Sequence, residues 1–493
     1  MIGNRALPRW QINVMATAIG LAALLGSAFF ATRTSVNGLI VLCAAAGLIL
    51  LLRWPGLGLV AMAALSFTLP LQIGTGSQVS LTPPVLLIPA VGVAWLAEGL
   101  RAGTLRLPRS PTLLPLLLFV AGGLLSLLAG NTYWDPMVTR PQNLLFVQLA
   151  QCAIWALSAA IFVLAAELGR RGRWLERATF AFLAAATLPI AGWIVHGLPA
   201  AIGWNISVQA SSSMFWVWLA AMATGQLLCN RRLTGVARLA LLALLGAAAY
   251  VLWRLQYDWI SGWLPFTVAA VAVVWLRVWR RSRVAAILLA LVLVLLAVVL
   301  FPRLFQYVGG EQELEISWGG RQTLYRTVLD LVKPHPILGL GPAAYRHYAF
   351  TRWLSMGEGG ALWLRPAVSS HNNFLDLYAQ LGLVGVVFFL WFLVALAVVG
   401  WKQLSRFRGG FEEGYVTGAM GGLAGSLAAM MLVDWFLPFV YNVGFPGFRS
   451  SALAWMFLGG LVAFAQRSGA TDGDAVTGEQ GSGRADGAEA TFG

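Results

Sequence analysis

The chain has 493 residues, of which 59% are hydrophobic and only 11% charged. That balance excludes an ordinary soluble globule, because too few polar residues remain to cover its surface. The formal net charge of +14 at pH 7 does not indicate a nucleic-acid partner, since the basic residues are scattered through short polar breaks between apolar runs instead of gathering into one patch.

In chain order, helical membrane spans are predicted at 12–31, 38–52, 56–73, 83–99, 112–129, 144–167, 175–195, 210–229, 236–253, 261–276, 284–301, 374–400, 412–432 and 449–466. Runs of roughly 17 to 25 apolar residues suffice to cross a hydrocarbon core at 1.5 Å per residue. Lipid offers no partner to an open backbone group, so helices are the expected spanning element. The expected fold is an all-α polytopic bundle of about 12–14 helices with one long extracytoplasmic loop containing short helices. Arg5 and Arg9 precede the first run, but no convincing small-residue cleavage site follows, so that run is expected to remain as a helix. Cys43, Cys152 and Cys229 lie inside apolar runs without disulfide or metal-ligand spacing and are expected to be packing residues.

Four regions follow: N-terminal spans over 1–300, the long loop over 301–373, C-terminal spans over 374–467, and a Gly-, Ala-, Ser-, Asp- and Thr-rich tail over 468–493. The tail is expected to be disordered, having few large apolar residues to bury. Placing both termini in the cytoplasm leaves most of the 33 basic residues in inner loops, and the bias sharpens when the long loop is set aside. This orientation puts Phe301–Asn373 outside, with His335, His347 and His371, and puts His196 on the same side. There is no glycine-rich phosphate loop, so nucleotide chemistry is not expected.

Within the long loop, Leu324, Val328 and Leu331 share one face of a predicted amphipathic helix opening near Arg321 and ending at Pro334 and Pro336. A cation at a helix N-terminus is unfavourable unless an anion joins it, which makes Arg321 a candidate for a bound phosphate or carboxylate; a solvated arginine is the structural alternative. Ile337 to Pro342 reads as turn chemistry returning the chain to the membrane. His371, in Ser369-Ser370-His371-Asn372-Asn373, sits at a predicted helix start. There an imidazole tends to stay neutral and can accept a proton, although Ser370, His371 or Asn372 could equally be a simple cap. Asp376, one to two turns inside, is expected to be structural, fixing the helix against a neighbour, with the orienting of a polar partner as the alternative. Arg254, at the outer end of its span, has Asp258 as a possible ion-pair partner or else converges with Arg321 on a diphosphate. Asp434 and Arg449 are expected to be structural, and Glu311, Glu313 and Glu315 to lie in a solvated strand or loop. His335 and His347 lack ligand spacing, and no metal is expected.

The order of Arg321, then Asp330-Leu331-Val332-Lys333-Pro334-His335-Pro336-Ile337-Leu338-Gly339-Leu340-Gly341, then His371-Asn372-Asn373-Phe374-Leu375, then Leu381-Gly382-Leu383-Val384-Gly385, resembles the O-antigen ligase and O-antigen polymerase family. The resemblance spans about Trp318 to Trp401. It implies a bacterial inner-membrane, metal-independent, inverting glycosyltransferase with no cofactor, acting on an undecaprenyl-diphosphate-linked glycan and a glycan, lipid A-core or other hydroxyl acceptor. By that likeness His371 is the catalytic base, Arg321 and Arg254 bind the diphosphate, and Asn372 and Arg326 are secondary substrate contacts. Gln380 stands where the family commonly has an acidic residue, and no Ser-Arg-Gly surrounds Arg254. A lipid-linked-sugar flippase and a peptidoglycan-type polymerase are the alternatives; the first would favour intramembrane charges and matching halves, the second an outer-loop carboxylate base.

Overall fold

The computed structural model describes residues 46–74, 80–103, 105, 107–195, 210–355 and 369–482, with 301–320, 323, 353–355 and 468–482 described by backbone alone. The predicted span at 12–31, Cys43 and His196 lie outside the described residues, and 38–52 is represented by a helix at 46–53. The chain then runs through α1 (Leu57–Thr68), a two-stranded antiparallel hairpin of β1 (Ile73–Gly74) and β2 (Ser80–Leu81), α2 (Pro83–Ala102), α3 (Leu113–Thr132) and α4 (Leu144–Leu168). Next come α5 (Trp174–Ala185), α6 (Thr187–Ile194), α7 (Ser213–Cys229), α8 (Gly235–Tyr250), which passes into a π-helical turn at Val251–Leu255, and α9 (Ile260–Trp279). The chain closes with α10 (Arg283–Val332), α11 (Tyr345–Ser355), α12 (Asn373–Gln403), α13 (Phe411–Met430) and α14 (Gly444–Ser482). The result is an all-α polytopic bundle. Among the described residues nine helices are long and apolar enough to cross a membrane, with α1 and α7 as shorter apolar helices.

Helix association in lipid depends on close packing, since lipid tails are as apolar as the side chains they would replace. The interior shows how that is met. Helix α13 lies against α7 and α9 along a glycine-rich surface, where an added Cβ at Gly418 would come 2.8 Å from the Ala221 carbonyl oxygen. At Gly421 and Gly425 it would come equally close to the Ala269 and Pro265 oxygens. By contrast, Arg283–Leu300 presents nearly all of its apolar residues outward, Val284 and Val298 each 68% exposed.

Two expected boundaries fall inside helices. The span expected to stop at Phe301 continues without interruption to Val332, so Glu311, Glu313 and Glu315 lie on a helix instead of a strand or loop. The tail boundary at Ser468 likewise falls within α14, while 483–493 lie outside the described residues.

Helix α12 is interrupted at Gly382 (φ 61°, ψ −158°), a conformation essentially confined to glycine. The turn after α10 docks on this interruption through four backbone hydrogen bonds: Leu340 N–H to Ala379 O (2.9 Å), Gly341 N–H to Gln380 O (3.1 Å), Leu383 N–H to Pro336 O (2.9 Å) and Val384 N–H to Ile337 O (3.1 Å). Ser126 of α3 donates to both Leu338 O (2.7 Å) and Gln380 O (2.5 Å), tying the junction to the bundle. Broken helices are tolerated at membrane depth where other groups satisfy the freed backbone. The turn does return to the bundle, and its partner is the Leu381–Gly385 segment.

Candidate functional site

The nine residues of α12 before Gly382 form a short helix whose entry carries the site. Asn372 is its N-cap: Asn372 Oδ1 accepts from Phe374 N–H (3.0 Å) and Leu375 N–H (3.2 Å), satisfying two of the orphan donors of a first turn. His371 is therefore one residue outside the cap. Its backbone is left-handed (φ 53°), and its N–H donates to Ser369 Oγ at 3.1 Å. Such a conformation in a non-glycine residue is uncommon and persists only where surrounding bonds over-determine it.

Those bonds come from two directions. From α12, Asp376 Oδ1 accepts both the N–H (2.9 Å) and the hydroxyl (2.8 Å) of Ser370. From the irregular segment between α13 and α14, Asn442 donates to Asp434 Oδ1 at 2.7 Å and to Ser369 Oγ at 3.5 Å. Asp376 and Asp434 are both buried, lie close enough to interact electrostatically, and each leaves its Oδ2 without a hydrogen-bond partner. Burial raises the Asp434 carboxyl above the usual carboxylate range.

Asn373 fastens the same segment. Its Nδ2 donates to Leu437 O (2.8 Å), and its Oδ1 accepts from Phe436 N–H (3.2 Å) and Leu437 N–H (3.1 Å). Gln151 of α4 donates to Pro438 O (3.1 Å) and accepts from Val440 N–H (2.8 Å), and Ser451 donates to Phe436 O (2.6 Å). A non-helical stretch buried among helices thus has its backbone groups answered by side chains.

Arg321 reaches this place from α10. It is half-buried, and its Nη1 donates to Leu432 O at 2.9 Å, next to Met431, whose carbonyl accepts from Asn372 Nδ2 at 3.4 Å. The Arg321 charge reaches His371, whose pKa is lowered first by burial and then by that guanidinium. This corrects two reasons offered by the sequence. Arg321 does not open a helix, since α10 begins at Arg283, so no N-terminal dipole acts on it. Burial and then the Arg321 charge favour the neutral form of His371, in place of membership of a helix's first turn.

The remaining candidates are less convergent. Arg254 lies in the π-helical turn, is exposed, and makes no ion pair with Asp258 among the described residues. Among the described residues no hydrogen bond or ion pair links it to Arg321 or His371. Arg326 is exposed on α10, five residues beyond Arg321 and so about 140° around the helix from it. Lys333 and Arg352 both pair with Asp330, at 2.6 and 3.2 Å. His347 Nε2 meets Tyr441 Oη at 3.1 Å, and burial, with Arg346 nearby, lowers its pKa to about 4. His335 lines a separate cavity of about 260 Å³ with Tyr133, Pro334 and Tyr348. Arg449 is structural, donating to Leu69 O at 2.9 Å and Leu71 O at 2.5 Å.

The contribution of Asp434 and Asn442 to the His371 turn was not anticipated, nor was the grip of Gln151 on the neighbouring segment; Asp376 holds Ser370, a polar partner. For Gln151 a signal exists: Gln148 and Gln151 interrupt an apolar span at a spacing that puts both on one helix face, and both are fully buried. Gln380, standing at the position expected to be acidic, accepts from Ala343 N–H at 3.0 Å and so holds the docked turn.

Residues 259–390 match the family model described as O-antigen ligase. A comparison with curated proteins finds no match. The matched stretch begins just before α9, includes Arg321, the docked turn and His371, and ends past the Gly382 interruption; Arg254 precedes it and Asp434 follows it. Over residues 259–390 this multi-pass helical membrane protein is similar to the O-antigen ligase family.

Proposed function

We propose that the protein transfers a glycan from a polyprenyl diphosphate, undecaprenyl diphosphate in a bacterial inner membrane, to an acceptor hydroxyl, as a ligase or polymerase does. The observation that carries this reading is a half-buried histidine held in a left-handed turn, whose neighbour Asn372 and the Arg321 guanidinium donate to the adjacent carbonyls of Met431 and Leu432; His371 and Arg321 both lie within the matched stretch. His371 acts as general base, its neutral imidazole accepting the acceptor's proton as the hydroxyl oxygen attacks the anomeric carbon. The bond to the diphosphate oxygen breaks in the same displacement, which inverts the anomeric configuration. Arg321 stabilises the charge that grows on the departing diphosphate, through guanidinium N–H groups other than the one given to Leu432.

Arg254 is the second diphosphate ligand in this reading, reaching it from the π-helical turn with a side chain not committed to Asp258. Asn372 contacts the sugar, while Arg326, on another face of α10, is left outside this contact, and the arginines at the diphosphate do the work a metal does in other transferases. The site faces away from the cytoplasm, as the arginine distribution favours. The test is a reconstituted assay with a glycan on undecaprenyl diphosphate and a hydroxyl acceptor. Wild-type protein releases undecaprenyl diphosphate and forms a product of inverted configuration; retention of configuration contradicts the single displacement.

A further inference from the structure

At the far end of α12 from His371, the α9–α10 connection and the α12–α13 connection close around a cavity of about 900 Å³. Arg281 and Arg283 line it from the first connection and the start of α10, Lys402, Arg406 and Arg408 from the end of α12 and the second connection, and Arg231 from the turn just after α7. A topology rule accounts for basic residues in each loop separately. It does not require three loops to aim them into one cavity.

The cavity's charge is not balanced from within. Among the described residues Glu413 is the sole carboxylate lining it, and that carboxylate is already engaged by Arg280 at 2.8 Å, by Arg277 at 3.7 Å and by the Gly409 N–H. The six cations named above make no ion pair among the described residues. Like charges gathered around one concavity repel one another, and an anion seated among them relieves that repulsion.

The surroundings identify the anion's class. Trp279 and Trp401 pack at the wall with ring centroids 5.8 Å apart, as aromatic residues do at a membrane interface. Immediately beyond Arg283, α10 turns Val284, Ile287, Leu288 and Leu291 outward, each more than half exposed. A ligand that places anionic groups in the cavity can lay hydrocarbon along this face. We propose that the cavity is a binding site for an acidic phospholipid, best served by one carrying two phosphates, in the leaflet at that end of the bundle.

The full-length protein, purified in a neutral detergent, is titrated with diphosphatidylglycerol, phosphatidylglycerol, phosphatidylethanolamine and inorganic phosphate, and bound lipid is read by native mass spectrometry. Diphosphatidylglycerol is expected to bind most tightly. The Arg281→Gln/Arg283→Gln/Arg406→Gln variant is expected to bind it at least about tenfold more weakly, each basic residue beside an acidic lipid being worth roughly a fivefold factor. Arg109→Gln, outside the cavity, is expected to bind like wild type. If the triple variant elutes as misfolded, the single reversal Arg406→Glu supplies the same comparison. Equal binding of phosphatidylethanolamine, unchanged affinity in the folded variants, displacement by inorganic phosphate alone, or preference for a polyprenyl diphosphate would each overturn the proposal. None of these outcomes bears on His371, so this inference and the transferase reading fail separately.

Discussion

Gly339 and Gly382 exclude each other's side chains: a Cβ on Gly339 would lie 2.6 Å from the Gly382 nitrogen, and a Cβ on Gly382 would lie 2.6 Å from the Gly339 nitrogen. The two backbones meet with no room between them, and both residues have positive φ. The docked turn after α10 and the break in α12 are therefore one structural unit. That unit sets where the short site helix ends and how it points.

Gly382→Ala is accordingly expected to destabilise the protein by roughly 3 kcal/mol or more, combining overpacking against backbone with a conformation closed to alanine. Thermal melting in detergent measures it. Gly246→Ala serves as the control, because nothing lies within 4 Å of a Cβ there, and a glycine within a helix gains stability on becoming alanine. Equal melting temperatures for the two variants would show that the junction is looser than its contacts imply.

Asn373→Ala removes three hydrogen bonds to the segment between α13 and α14 and leaves Leu437 O and two N–H groups buried without partners. The expected cost is about 2–4 kcal/mol, since each orphaned buried group costs about 1–3 kcal/mol before relaxation. Turnover should fall with stability, because the same segment carries the Leu432 carbonyl that holds Arg321. Unchanged melting and turnover would remove this clamp from the account.

Asp376→Ala frees Ser370 from the double acceptor that holds the turn, whereas Asp376→Asn keeps an oxygen where Oδ1 stands. As a positioning residue, Asp376 should lower kcat by about tenfold or more in the Ala variant, with KM for the lipid donor little changed and partial rescue in the Asn variant. If both variants fall equally, the charge matters more than the geometry.

The pH profile gives an independent reading of the His371–Arg321 pair. A base works as neutral imidazole, and burial with the Arg321 charge lowers the His371 pKa below its ordinary value of about 6.5. The acid limb of kcat/KM should therefore lie below pH 6.5. Arg321→Gln removes a cation that disfavours imidazolium, so the pKa rises and the limb moves to higher pH, on a residual rate reduced by roughly a hundredfold. A limb that stays in place would separate the two residues.

The span pattern was legible because hydrophobic runs of membrane length have few other uses. Where composition changes but conformation does not, the reading failed. Helix α10 continues past Phe301 through polar residues because Glu, Gln and Arg sustain a helix as well as leucine does. The motifs Pro336–Gly341 and Leu381–Gly385 were visible one at a time, but their backbone pairing joins segments about forty residues apart and leaves no local periodicity. The same holds for Arg321 beside His371. Asp434 looked like an ordinary loop carboxylate, since only the folded chain brings it to Ser369 through Asn442.

The most direct test of the central claim is the single-turnover rate of reconstituted His371→Ala with a glycan linked to undecaprenyl diphosphate, compared with wild type of equal melting temperature and equal donor affinity. Loss of a general base predicts a rate lower by roughly 10²–10⁴-fold with donor binding intact. A His371→Ala protein that transfers glycan at a rate close to wild type would contradict the account.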